Sequence, residues 1–268
     1  MHSRTPKVLH KIAGMPMVNH VIKAVKLLNQ NSMVAVVSPT DHSSVAETVG
    51  DGVECVDQPE PLGTGNALAT AIPALAPDCE YILLINGDLP LIRQKTLEKL
   101  VDCHLDNLAT ITLLTSLLPI SQVTGLGFVV RGETGAPVSI IEAAEQSEHY
   151  EGTVEINVGA YCISMNWLRE AITSLKAHPN GEVQVTDLVG KAFADDHKIA
   201  SVVIEDSSEG LGVNDRAQLA CAEAAMQSRL RLHWMKRGVT MDDPLTTYLE
   251  SGVELAEDVK ILPNTSLK

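Results

Sequence analysis

The sequence predicts an α/β fold with a doubly wound sheet and helices on both faces, and three observations carry that expectation. Segments of strand and helix character alternate over the first hundred residues, which is the pattern of βαβ units. Tyr81-Ile82-Leu83-Leu84-Ile85 is an unbroken apolar run closed by Asn86-Gly87-Asp88, as expected of a buried strand ending in a turn. Aromatic residues make up only 3% of the chain, so the core must be built from Ala, Val, Leu and Ile. Such a core favours buried parallel strands flanked by helices.

The elements follow in order. Met17, Val18, Val21, Ile22, Val25 and Leu28 recur close to the helical period, which predicts an amphipathic helix after Pro16 that ends near Asn29-Gln30-Asn31. A strand over 33–37, a short helix over 45–49 and a strand over 53–56 come next. A helix over 64–75 then precedes the strand 81–85, and another helix covers 94–105. The second half is less regular, with strands expected over 110–118, 127–130, 137–142, 155–164 and 200–204. Helices are expected over 167–175, 186–194 and 214–237. Beyond Thr240 the texture changes to short β-like steps at 253–255 and 259–261, too little for a domain but suited to the opening turn of a β-solenoid.

The 268 residues suit one large α/β domain with a short appendage. At 45% hydrophobic and 20% charged the chain is globular, and no uninterrupted apolar stretch of about 18 residues spans a bilayer. A soluble protein without a membrane partner is expected. Lys and Arg total 20 against 34 Asp and Glu, a net charge of −14 with no basic cluster, which argues against a nucleic-acid groove. An anionic ligand must therefore be met by a few placed cations, backbone N–H groups or a divalent metal. Cys55, Cys79, Cys103, Cys162 and Cys221 are widely spaced and odd in number, which reads as free thiols in a reducing cytoplasm. The opening residues carry cations but no following apolar region, so no secretory signal is expected there.

Ligands of open α/β sheets gather at the carboxyl ends of strands, which singles out the polar residues just after each one. Asp88 ends the strongest strand and is either a turn residue or an oxygen ligand for Mg²⁺. Gln58 precedes Leu62-Gly63-Thr64-Gly65, where the glycines would let N–H groups face a ligand at a helix start; the plain alternative is a loop with Thr64 as helix cap. Lys7 is a phosphate-neutralising ammonium or an ordinary exposed lysine. Asn214 opens the last long helix as its cap or serves as a metal ligand through its amide oxygen. Gly127, Glu142 and Asn157 stand at strand ends of the second half. The nine histidines, His10, His20 and His104 among them, show no ligand spacing and read as surface or helix residues. No nucleophile motif or G-x-x-x-x-G-K-[ST] loop occurs.

Taken together, Pro6-Lys7-Val8-Leu9, Gln58 with Leu62-Gly63-Thr64-Gly65, and Asn86-Gly87-Asp88-Leu89-Pro90-Leu91 form a series. Gly125-Leu126-Gly127, Ile141-Glu142, Glu155-Ile156-Asn157-Val158-Gly159, Gly181-Glu182 with Thr186-Asp187, and Gly212-Val213-Asn214-Asp215-Arg216 continue it. The series resembles the sugar-phosphate nucleotidyltransferases, and within them the uridylyltransferase part of the bifunctional N-acetylglucosamine-1-phosphate uridylyltransferase/glucosamine-1-phosphate acetyltransferases. The resemblance implies a Rossmann-like mixed sheet of the nucleotide-diphospho-sugar transferase type over 1–237. It also implies a linker and the first turn of a left-handed β-helix over 238–268. The implied reaction is uridylyl transfer from UTP to N-acetylglucosamine 1-phosphate, which serves cell-wall peptidoglycan and lipopolysaccharide synthesis.

By that likeness Lys7 stabilises phosphate charge, and Asp88 with Asn214 holds Mg²⁺. Gln58, Gly63 and Thr64 contact the uracil, Gly127, Glu142 and Asn157 grip the sugar, and Asn86 and Gly87 also touch substrate. The family's first strand and its L-A-A-G-x-G-T-R phosphate loop have no counterpart here, nor has most of the β-helix with its second activity and homotrimer contact. Impaired transfer is the expected consequence. A non-catalytic nucleotide-sugar binding module and a transferase for another sugar phosphate or NTP are the competing readings.

Overall fold

The computed structural model describes residues 1–28, 33–37, 40–123, 125–142 and 152–268. A short 3₁₀ turn, Lys7–Leu9, leads into a small hairpin of β1 (Lys11–Ile12) and β2 (Met15–Pro16). There follow α1 (Met17–Lys26), β3 (Val34–Val37), α2 (His42–Val49), β4 (Glu54–Asp57), α3 (Thr64–Ala71), β5 (Tyr81–Ile85) and α4 (Gln94–Asp106). The second half contains β6 (Ile111–Pro119), β7 (Phe128–Arg131), β8 (Pro137–Ile141), β9 (Thr153–Ser164), α5 (Met165–Ala171), α6 (Asp187–Ala194), β10 (Ile199–Val203) and α7 (Arg216–Met235). Four two-residue strands close the chain: β11 (Thr240–Met241), β12 (Tyr248–Leu249), β13 (Lys260–Ile261) and β14 (Ser266–Leu267). The expected end of the first helix at Asn29-Gln30-Asn31 lies outside the described residues.

The main sheet has six strands in the order β10-β6-β9-β7-β8, with β5 also paired to β9. It is mixed, and the expectation of buried parallel strands needs correction. Among the described residues only β6 and β10 run parallel within it, while β9 is antiparallel to β5, β6 and β7. The sheet is wound on both faces. Alternate residues of β9 point to opposite sides, Tyr161 and Ile163 toward α5 and α6, Ala160 and Cys162 toward α1 and α4, as the two-residue strand period requires. The strand 81–85 is less buried than its apolar run suggests, since only Ile82 is fully covered. It pairs with β9 along one edge, and among the described residues no strand pairs with the other. β3 and β4 form their own parallel pair.

The residues after α7 do not form a strand at 253–255. Instead β11 pairs in parallel with β13 and β12 with β14, so the chain coils once and returns beside itself. Buried Gln227 of α7 holds this tail by donating Nε2–H to Leu249 O at 2.7 Å and accepting Leu249 N–H at 2.9 Å. Ser251 N donates to Ala13 O at 2.8 Å, which ties the tail to the turn of the first hairpin. No described helix is long and apolar enough to cross a membrane. All five cysteines are free, and burial pushes the Cys162 thiol up to about 12.

Two histidines are core residues on helices. His20 Nε2 lies 2.8 Å from Ile12 O, and His104 lies between the hydroxyls of Thr112 and Ser164 at 3.0 and 3.2 Å. Burial holds both rings below the usual histidine range. Burial pushes the Glu155 carboxyl up, but the fork of Arg131 on both its oxygens leaves it below the usual carboxylate range. A histidine kept neutral in the fold costs stability once the unfolded chain takes its proton near pH 6.5, and a depressed carboxylate loses its contribution lower still. The urea midpoint should therefore fall between pH 7.5 and 5.5 and fall again below about pH 4.5. A flat midpoint across the first interval would show that neither ring contributes.

Candidate active site

Where β5 runs out, the chain turns through Asn86-Gly87-Asp88. Asp88 O accepts Val213 N–H at 3.1 Å, which lays the segment ahead of α7 against this turn. Lys7 comes from the 3₁₀ turn at the start of the chain, and its Nζ donates to Asp88 Oδ2 at 2.7 Å and to Asn214 Oδ1 at 2.8 Å. Three residues from distant parts of the sequence thus meet at the carboxyl end of a sheet strand, where open α/β sheets place ligands. The Asp88 side chain is only 15% exposed and that of Lys7 is 40% exposed.

Asn214 is not the cap of α7. Asp215 caps it by accepting Gln218 N–H at 2.7 Å, and Gln218 Oε1 accepts Asn214 N–H at 2.7 Å, a capping box displaced by one residue. The Asn214 carboxamide is thereby left to face Lys7. Asp88 and Asn214 offer one oxygen each to a single cation, here the ammonium. Carboxylate and amide oxygens are hard donors of the kind Mg²⁺ takes beside substrate phosphates, so the donor set fits that ion. Among the described residues no group of three His, Cys, Asp or Glu side chains could hold a metal.

A bulge in β9 shapes the next part. Leu113 pairs with Tyr161 and Thr115 with Asn157, so residues 158–160 oppose Leu114 alone. Within the bulge Asn157 Oδ1 accepts Gly159 N–H at 3.2 Å, and its Nδ2 donates to the Tyr161 hydroxyl at 2.6 Å. Burial holds the Tyr161 phenol well above its usual range despite the Asn157 hydrogen bond, so it stays neutral. Gly159 has φ +86°, and a Cβ there would collide with the Asn86 side chain; Asn86 N donates to Gly159 O at 3.1 Å. Only glycine lets the two asparagines approach from either side.

Gly127 O accepts Asn157 N–H at 2.8 Å, and a Cβ on Gly127 would come within 3.4 Å of Glu142 Oε1. Glu142, just past β8, accepts Thr186 Oγ1–H at 3.0 Å. The segment before Thr186 reaches α3, because Val185 N donates to Thr64 Oγ1 at 3.1 Å. Gln58 Nε2 donates to Gly63 O at 3.1 Å and to Asn66 Oδ1 at 2.8 Å, folding its loop over the start of α3.

Two expectations about this loop change. Thr64 is the first residue of α3 rather than its cap, a place taken by Gly63 with φ +93°. The Gly65 N–H does not face a ligand, because it donates to Val183 O at 2.8 Å.

The structure brings Lys7, Asp88 and Asn214 together directly, and hydrogen bonds link Asn86, Gly159, Asn157 and Gly127. Glu142 is bonded to Thr186, Thr64 to Val185, and Gln58 to Gly63 and Asn66. An open concavity of about 530 Å³ beside His178, Asp187 and Lys191 shares none of them. Sequence reasoning missed Tyr161, Asn66 and the Val183 carbonyl, and assigned no role to Thr186. Asn66 directly follows Leu62-Gly63-Thr64-Gly65 and was within reach of that motif; the others depend on pairings far apart in the chain.

Residues 1–120 match the model of the MobA-like NTP transferase domain. A Bifunctional protein GlmU from Shouchella clausii is 38% identical over 269 residues, covering 100% of this chain and 59% of the relative. Those from Streptococcus equi subsp. zooepidemicus and Caldanaerobacter subterraneus subsp. tengcongensis are also 38% identical, each covering 100% of this chain and 58% of the relative. The chain thus spans rather more than half the length of these relatives. Along its whole length the chain is thus similar in sequence to part of the GlmU proteins, and its first 120 residues are similar to the MobA-like NTP transferase domain.

Proposed function

We propose that the chain catalyses uridylyl transfer from UTP to N-acetylglucosamine 1-phosphate, giving UDP-N-acetylglucosamine and pyrophosphate. A phosphate oxygen of the sugar attacks the α-phosphorus of UTP, and the bond from that phosphorus to the oxygen bridging the β-phosphate breaks as pyrophosphate leaves. The observation that carries the reading is the meeting of Lys7, Asp88 and Asn214 at the end of β5. Such a reaction calls for positioning and charge neutralisation rather than a covalent nucleophile. Lys7 is the catalytic residue, its ammonium neutralising phosphate charge in the transition state. Mg²⁺ held by Asp88 and Asn214 would supply further neutralisation of the phosphates when bound.

Gln58, Gly63 and Thr64 frame the uracil, Asn86 and Gly87 border the phosphates, and Gly127, Glu142 and Asn157 grip the amino sugar. Glu142 is aimed by Thr186, and Asn157 by the β9 bulge. We read 1–237 as the nucleotidyltransferase domain and 238–268 as a linker with the first coil of a left-handed β-helix; the two parallel ladders of the tail support that reading. The five free thiols suit a reducing cytoplasm.

With UTP, N-acetylglucosamine 1-phosphate and Mg²⁺, the protein should release pyrophosphate and form UDP-N-acetylglucosamine, at whatever rate the chain sustains, and EDTA should stop both. Saturable binding of UDP-N-acetylglucosamine with no turnover in either direction would make it a binding module instead. Turnover only with another nucleotide or sugar phosphate would overturn the substrate assignment.

A further inference from the structure

Asp88 and Asn214 lie in two separate loops, one after β5 and one before α7, joined directly by the Val213–Asp88 backbone bond. A cluster of charges behind them, with Glu209 buried, Arg229 half-buried and Arg93 and Asp206 reaching the surface, joins the same two loops. Arg229 of α7 donates Nη1–H to Leu91 O at 2.5 Å, and Nη2–H to Ser208 Oγ at 2.8 Å and Asp206 Oδ2 at 3.3 Å. Asp206 Oδ2 also accepts from Arg93 Nη2 at 2.5 Å. Glu209, 3% exposed, accepts Arg93 N–H at 3.0 Å. The residues just after Asp88 are thereby fastened to those just before Asn214.

Charges of this kind are a poor way to gain stability, since exposed ion pairs are worth little and buried ones do no better than well-packed apolar side chains of the same volume. What a guanidinium fork offers instead is direction: one N–H aimed at the Leu91 carbonyl and others at the Asp206–Ser208 turn fix one loop against the other. Burial and the neighbouring Arg93 both work against the Arg229 charge, with Asp206 and Glu209 opposing them. We infer that Arg229 is a positioning residue that sets the spacing of Asp88 and Asn214 and so governs their affinity for a divalent cation. This rests on the assignment of those two residues as metal ligands.

The test is Mn²⁺ binding, followed by electron paramagnetic resonance, beside Mg²⁺ titrations of transfer. Arg229→Met, which keeps the stem but loses the fork, should weaken Mn²⁺ binding roughly 10- to 100-fold, the range for lost support of a metal ligand. Its turnover should recover at high Mg²⁺ with the KM values for UTP and sugar phosphate unchanged, and Arg229→Lys should restore part of the affinity. Ser208→Ala removes one acceptor of the fork from a half-buried turn, and should weaken Mn²⁺ binding a few-fold even where Arg229→Met does not fold. Unchanged Mn²⁺ affinity in Ser208→Ala, or in folded Arg229→Met, overturns the inference. Asp88→Ala separates the two ideas: if it too binds Mn²⁺ as well as the parent, the metal assignment itself fails.

Discussion

Asp88→Ala should lower turnover about 1000-fold, because a metal's stabilisation of transition-state charge is worth several kcal/mol and each tenfold in rate is about 1.4 kcal/mol. The loss should be local. Asp88 holds the neighbouring loop through its backbone carbonyl, which accepts Val213 N–H, and the substitution leaves that bond in place. Leu89 and Leu91, fully buried, anchor the turn beyond it. The variant should therefore fold with its circular dichroism and urea midpoint close to the parent's, yet no concentration of Mg²⁺ should restore its rate. Asp88→Asn keeps the shape and loses the charge, and should be nearly as slow. Near-parental turnover in either variant, with the same Mg²⁺ dependence, would remove Asp88 from the mechanism.

Much of the fold was legible because burial writes a period into the sequence. The run 81–85, the strand expected over 155–164 and the helical spacing after Pro16 each mark an element found within a residue or two at its start. What could not be read depends on neighbours. Tyr81–Ile85 is half-buried because of which strands flank it, and its composition carries no record of that. The β9 bulge, which aims Asn157, arises from a register shift against β6. Asn214 and Asp215 are both good cap residues, and composition cannot choose between them, although Gln218 three residues after Asp215 was a capping-box signal for the aspartate. Arg229 lies on a helix with no motif around it, and its role emerges only when Leu91 and Ser208 are seen on the same guanidinium.

Lys7→Met should move two measurements in opposite directions. The ammonium touches both Asp88 and Asn214, so it occupies the place where their oxygens converge, and a divalent ion taking those oxygens has to displace it. In the protein without nucleotide, removing the ammonium should therefore strengthen Mn²⁺ binding. A lone carboxylate beside an amide attracts a divalent cation more strongly than one already paired with a lysine. Turnover should nevertheless fall about 100- to 1000-fold, the scale seen when one preorganised group facing transition-state charge is removed. The displaced ammonium would stand beside the proposed metal ligands, placed to follow the phosphate charge. Arginine at position 7 should not restore the rate, because a planar fork does not fit the point between two single oxygens that a compact ammonium fills. Loss of Mn²⁺ affinity together with turnover would mean that Lys7 builds the pair of ligands rather than competing for it. Full turnover in Lys7→Met would leave the site without its proposed phosphate-neutralising charge.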